Sequence, residues 1–257
     1  LLNGNQTALM FVYYLIIRWK ELGKINGKEY IVKTIVTTET IKTIAERNGV
    51  EMYDVYTGFK WIANVMRENE GKKNYIGGGE ESYGFLCEDF VRDKDAVSAC
   101  VILAEIAAWA KDQGLSLYQL LQKIYVEYGF SKEKGISVVK KGKSGAEEIE
   151  AMMKKFRENP LTEIAGSKVT YFYDYSTLKG KDYAENETVT LDMPTTSNVL
   201  QYFTEDNTKV SIRPSGTEPK IKFYCEVHSK VKSIDELPEA EKAAEEKINQ
   251  IKASLGI

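Results

Sequence analysis

Between Tyr30 and Ile76 three short apolar runs alternate with two helical stretches, and this alternation limits the fold more than any other feature. Tyr30–Val36 is β-branched and largely apolar throughout, as a strand covered on both faces is. A helix is expected over about Thr40–Arg47, ended by Asn48-Gly49, then a short strand over Val50–Val55. A helix over Phe59–Arg67 and a third strand starting at Asn74–Ile76 follow. Strand, helix, strand, helix, strand predicts a parallel α/β layer. In front of it Asn5 or Thr7 can cap a helix running to about Leu22. Behind it lie helices over about Asp95–Asp112 and Ser116–Tyr128. In the first of these, Cys100, Leu103, Ala107 and Ala110 recur at helical spacing, which predicts a mostly buried helix.

The second half has a different pattern. Lys132–Lys143 is rich in Lys, Gly and Ser and is expected to be a linker. An amphipathic helix is expected over Ala146–Glu158, stopped by Asn159-Pro160. Period-two strands follow: Val169, Tyr171, Tyr173 and Tyr175 alternate with Thr170, Phe172 and Asp174. Asn198–Phe203, Val210–Arg213 and the alternating Ile221, Phe223, Cys225 and Val227 complete the set. A capping box, Ser233–Glu236, opens a last helix whose apolar face is Ala240, Ala244, Ile248, Ile251 and Leu255. The expected fold is an α/β domain with a mostly parallel sheet over residues 1–141. A smaller α+β domain with an antiparallel sheet is expected over residues 142–257.

Composition removes several classes of function. The 257 residues carry 35 basic and 38 acidic side chains, so no bulk positive charge draws the chain to nucleic acid or an anionic membrane. The single histidine, His228, excludes His-rich zinc sites, and any Ser/His/Asp triad would have to use it. Cys87, Cys100 and Cys225 are far apart in apolar runs and read as reduced thiols of a cytoplasmic protein. The longest apolar run, Ala8–Ile17, is stopped by Arg18 and is too short to span a membrane. The chain opens at Leu1 without an initiator Met, so a piece of something longer is expected.

Three loops carry residues that packing does not require. The first, Gly77–Gly84, ends a predicted parallel strand, where ligands of open α/β sheets bind. Its Glu80 and Ser82 suit sugar hydroxyls, and its spacing fits neither a dinucleotide fingerprint nor a P-loop. The second, Arg213–Lys220, joins two predicted strands. Its guanidinium, two hydroxyls and Gly216 can cup a phosphate, stiffened by Pro214 and Pro219. The third, Val91–Asp95, brings Arg92 and Lys94 to the start of a helix, where they can reach an anion. Solvated turns and a charged helix start remain the alternatives for all three.

Together the motifs Gly-Glu-Glu-Ser-Tyr-Gly at 79–84, Asp-Phe-Val-Arg-Asp-Lys-Asp-Ala at 89–96 and Arg-Pro-Ser-Gly-Thr-Glu-Pro-Lys at 213–220 resemble the α-D-phosphohexomutases. Gly4-Asn-Gln-Thr7 and Tyr56-Thr-Gly-Phe-Lys60 extend the resemblance over nearly the whole chain. It implies a four-domain enzyme of which this chain resembles the third and fourth domains, the missing N-terminal domains acting as its partners. It implies that Glu80 and Ser82 hold sugar hydroxyls, that Thr57 and Gly58 lie beside the sugar phosphate, and that Lys94 lines the cleft. Arg213, Ser215, Gly216 and Thr217 would clamp the phosphate not undergoing transfer.

The family moves a phosphoryl group between C1 and C6 of a hexose phosphate through a bisphosphate. It uses a phosphoserine in a Ser-His-Asn-Pro-type loop, Mg²⁺ in an Asp-x-Asp-x-Asp-Arg-type loop, and a glucose 1,6-bisphosphate-type activator. Neither loop occurs here, so no catalytic or metal residue is expected in this chain and it is expected to be inactive alone. The other reading is a non-catalytic phosphosugar-binding module.

Overall fold

The apolar runs of the first half pair into a four-stranded sheet in the order β2-β1-β3-β4, with β1 Glu29–Thr34, β2 Glu51–Val55, β3 Asn74–Gly79 and β4 Phe85–Cys87. The first three strands run parallel, and β4 returns antiparallel to β3. The computed structural model describes residues 1–257 apart from Lys141, Thr217 and the side chain of Lys143. The chain divides into two units, Leu1–Phe130 with Lys230–Leu237 and Ser131–Ser229 with Pro238–Ile257.

In the first unit every residue of β1 is buried, as its β-branched sequence predicts. Helices α2 (Thr40–Arg47) and α3 (Phe59–Asn69) connect the parallel strands. Tyr30, Val32, Val55, Phe59, Ile62, Tyr75 and Leu86 form one core cluster. Helix α1 (Gly4–Glu21) is buried from Ala8 to Ile16. Its cap is Asn3, in a reciprocal box with Gln6, rather than Asn5 or Thr7. Asn5 instead accepts from the Thr38 backbone N–H at 3.0 Å.

Two expectations change here. The strand beginning at Asn74 continues through all three glycines to Gly79. A Cβ on Gly78 would stand 2.4 Å from the Val32 carbonyl oxygen, so close strand approach demands glycine there. Helix α4 (Ala96–Asp112) is not mostly buried: only Ile106 and Ala110 are, and Cys100 is exposed. It rests on α1, β4 and α5 (Leu117–Tyr128), and its outward side meets none of them.

In the second unit a sheet runs in the order β5-β12-β11-β10-β7-β8-β9, with β6 paired to β7. The strands are β5 Phe130–Val139, β6 Glu163–Ile164, β7 Ser167–Asp174, β8 Lys179–Asp182, β9 Glu187–Thr190, β10 Leu200–Thr204, β11 Lys209–Pro214 and β12 Lys220–Ser229. Its neighbouring strands pair antiparallel, as at β10–β11 and β11–β12. Helix α6 (Gly142–Glu158) buries Ile149, Met153 and Phe156, and α7 (Leu237–Leu255) buries Ala244, Ile248, Ile251 and Leu255.

The expected linker is a correction: residues 132–139 belong to β5, an edge strand. The exposed Lys134 and Gly135, with the half-buried Lys132, suit an edge strand that discourages pairing, and they read as linker composition. The alternation along β7 also breaks. Val169 is buried, then Phe172 and Asp174, because the register to β10 slips between Phe203 and Thr204. Such a bulge moves the next side chains to the other face. Ser233 caps no helix with its side chain; a 3-10 turn, Ile234–Glu236, leads into α7. No helix among the described residues is long and apolar enough to cross a membrane.

Candidate functional site

Because β1, β2 and β3 are parallel, their C-terminal ends share one edge of the first sheet, and the polar residues of that unit collect there. Residues 80–84 form the loop from β3 to β4, closed by a bond from the Glu80 N–H to the Gly84 carbonyl at 2.8 Å. Glu80 is buried, and its Oε1 accepts from the Gly58 N–H at 2.7 Å. Gly58 is the N-cap of α3 with φ 112°, a conformation that favours glycine and leaves it no capping side chain. The Glu80 carboxylate, in the loop after β3, accepts that N–H at the positive end of the helix.

The Glu80 Oε2 and the Lys94 Cδ both flank Gly84, each 3.1 Å from where a Cβ would sit. Lys94 Nζ lies 3.1 Å from the Asp93 carboxylate and 5.9 Å from the centre of the Phe59 ring. Lys94 holds the Asp93 carboxyl below its ordinary range. Thus Gly58, Glu80 and Lys94 converge, with Thr57 half-buried next to Gly58. Ser82 stands exposed at the loop tip, beside Tyr83, whose hydroxyl donates to the Leu2 carbonyl at 3.0 Å.

The sequence gives no sign of Lys33. It lies in β1 opposite Asp54 on one side and Gly79 on the other, and is 1% exposed. Its ammonium meets Asp54 Oδ1 at 2.7 Å and Glu39 Oε1 at 2.9 Å. A buried lysine is tolerated when paired in this way. It puts a fixed cation at the edge that carries Glu80.

In the second unit Arg213 and Pro214 end β11, and the loop to β12 is closed by a bond from the Ser215 N–H to the Lys220 carbonyl at 2.8 Å. Arg213 and Ser215 are half-buried and Gly216 is exposed, with nothing within 4 Å of a Cβ placed on it. Thr217 lies outside the described residues. Glu218 pairs with Lys220, which holds its carboxyl below the ordinary range, Lys222 adding to the effect. The hairpin register sets Arg213 directly opposite Lys222. Like charges facing across strands repel, so this register gathers two cationic side chains at the root of the loop. Lys222 could be found only once the register was known.

Among the described residues no group of three or more His, Cys, Asp or Glu side chains is placed to hold a metal ion.

Comparison with known proteins identifies the family. The sequence pattern of phosphoglucomutase/phosphomannomutase alpha/beta/alpha domain III matches residues 3–128, and that of the C-terminal domain matches residues 137–244. A phosphoglucomutase of Staphylococcus aureus is 38% identical over 222 residues, 86% of this chain and 39% of its own. One from Staphylococcus haemolyticus is 34% identical over 226 residues, 88% of this chain and 40% of its own. The chain thus spans about 40% of the length of these curated relatives.

Among solved structures, the open form of parafusin, a Paramecium phosphoglucomutase, has a TM-score of 0.57 at 17% identity, covering 97% of this chain and 42% of its own. A phosphoglucomutase/phosphomannomutase family protein of Burkholderia thailandensis has 0.56 at 16%, covering 99% and 42%. At these identities the likeness is one of fold. With its two patterns in order over residues 3–128 and 137–244, the chain belongs to the phosphoglucomutase/phosphomannomutase family.

Proposed function

We propose that these residues form the substrate-holding part of a cytoplasmic phosphoglucomutase-type enzyme. The enzyme moves a phosphoryl group between C1 and C6 of a hexose phosphate through a bisphosphate intermediate. The observation that carries the reading is the Glu80 carboxylate, fixed by the Gly58 N–H and facing Lys94 across Gly84. Held there, Glu80 Oε2 accepts hydroxyl protons of a sugar ring, Ser82 adds a hydroxyl at the loop tip, and Lys94 offers charge to a phosphate. Thr57 and Gly58 lie at the N-terminus of α3, which favours an anion.

Arg213 and Lys222 hold the phosphate that is not transferred, with Ser215, Gly216 and Thr217 completing the loop. The donor phosphoserine and the Mg²⁺ loop belong to family domains that the 257 residues do not span. The chain alone therefore binds but does not turn over. A glucose 1,6-bisphosphate-type activator would prime the complete enzyme.

The test is a shift titration by NMR with glucose 1-phosphate and with inorganic phosphate. Arg213→Ala removes a charge-assisted bond of about 1.5–3 kcal/mol and weakens both ligands roughly 10–100-fold. Glu80→Ala weakens only the sugar phosphate, because a carboxylate accepts from hydroxyls and repels phosphate. Equal losses of both ligands in both folded variants would refute the division of roles. Turnover of glucose 1-phosphate by the pure chain would refute the assignment of the chemistry to other domains.

A further inference from the structure

Helix α4 is almost wholly apolar in sequence, with only Ser98, Glu105, Lys111 and Asp112 polar, yet only Ile106 and Ala110 are buried. At 100° per residue Val97, Val101, Ala104 and Ala108 fall within about 60° of arc, one continuous stripe. All four are exposed, Val97 by 74% and Val101 by 60%. An apolar stripe of this kind in a folded protein marks an interaction surface.

The size of the stripe decides between occupants. From Val97 to Ala108 the helix is about 17 Å long and about 10 Å wide, roughly 170 Å². A stable dimer of separate chains buries about 800 Å² on each side, so a second copy is poorly served. A domain joined covalently needs far less, because linkage supplies an effective concentration in the millimolar range. The relatives supply such a domain: this chain spans about 40% of their length and matches domain III and the C-terminal domain.

We propose that the outer face of α4 is the seat of the family domains that these residues do not span. The proposal rests on family membership and on the reading that the complete enzyme carries those domains. Its position matters for the site. Asp95 caps α4 by accepting from the Ser98 N–H at 2.7 Å, and Lys94 is the residue before it. A domain seated on α4 therefore fixes the helix end next to Lys94, whose side chain packs against Gly84 as the Glu80 carboxylate does.

Cys100 is a built-in reporter, exposed one residue before Val101. Burial pushes the thiols of Cys87 and Cys225 up to about 12, so Cys100 reacts first with a thiol reagent. The experiment compares Cys100 labelling in the 257-residue chain with labelling in the same chain joined behind domains I and II of the Staphylococcus aureus relative. Labelling is expected to slow at least roughly tenfold in the joined protein, and Val101→Asp is expected to restore the free rate. Equal rates in the two proteins would overturn the proposal.

A dimer of the free chain that protects Cys100 and falls apart in Val101→Asp would also overturn it, giving the face to a second copy. In the free chain Val101→Asp should leave thermal unfolding unchanged, and a large loss there would mean that the face is already covered. None of these readouts depends on activity, so failure of the docking and failure of the mutase reading are distinguishable.

Discussion

Replacing Gly4 with alanine tests how the first unit holds the loop at residues 80–84. A Cβ on Gly4 would lie 1.8 Å from the Glu81 carbonyl oxygen, 2.6 Å from its carbon and 3.0 Å from the Tyr83 nitrogen. All three are backbone atoms, so no rotamer change relieves the clash. Normal carbon–oxygen contact requires a shift of roughly 1.5 Å between the start of α1 and the loop. A shift of that size carries the Glu80–Gly58 bond, now 2.7 Å, beyond hydrogen-bonding range.

Overpacking costs about 1–3 kcal/mol, and the lost charge-assisted bond about 1.5–3 kcal/mol. Alanine returns at most about 1 kcal/mol of helix propensity, leaving a loss of about 1.5–5 kcal/mol. Trp19, Trp61 and Trp109 all lie in Leu1–Phe130, so their fluorescence in a denaturant titration reports this unit. Amide shifts of residues 80–84 report the loop. A loss under about 0.5 kcal/mol with unmoved loop amides would refute the packing described, since overpacking alone should exceed that.

Two further outcomes concern the second unit. Lys222→Met removes the repulsion with Arg213, so without ligand the chain should be unchanged or slightly more stable, while phosphate binding falls about tenfold. A destabilised, normally binding variant would count against the two-cation clamp. His228 Nε2 lies 2.8 Å from Glu226 Oε1, and Glu226 also meets Lys209 at 3.0 Å. Burial pulls the imidazole pKa down, but Glu226, with Glu133 further off, outweighs burial and Lys209 and holds it above 6.5. A raised folded-state pKa adds stability that is full below 6.5 and lost as pH rises through the folded value. As the only histidine, its ring proton gives one NMR titration, and a midpoint at or below 6.5 would disprove the pairing.

What the sequence discloses depends on whether a residue's role is local. The β-branched run at Tyr30 carries its meaning within a few residues, so the parallel layer was legible, and the Gly-Glu-Glu-Ser-Tyr-Gly loop singles out Glu80 as a candidate in the same way. Lys33 was not, because its partners Asp54 and Glu39 reach it from a neighbouring strand and the following loop. Lys222 was hidden for the same reason, its relation to Arg213 being a matter of register. The triple glycine at 77–79 reads as a turn, since glycine weakens strands, and only the approach of Val32 explains it. The apolar spacing in α4 misled, because nearly every residue of that helix is apolar and spacing alone does not separate its buried side from its exposed one.

The place of α7 in the chain has a consequence for biosynthesis. All four strands of the first sheet have been synthesised by Cys87, whereas the second unit still awaits its closing helix after β12 ends at Ser229. That helix ties the unit together late: Glu241 and Glu245 reach Lys132, Lys247 pairs with Asp206, and the Ser254 hydroxyl accepts from the Ala165 N–H. A nascent chain at residue 236 therefore carries a finished first sheet beside a second one with part of its apolar backing bare. Such intermediates expose the surface that draws chaperones and aggregation. A truncation after residue 236 would leave both candidate loops present in sequence and still cost the second unit its closure.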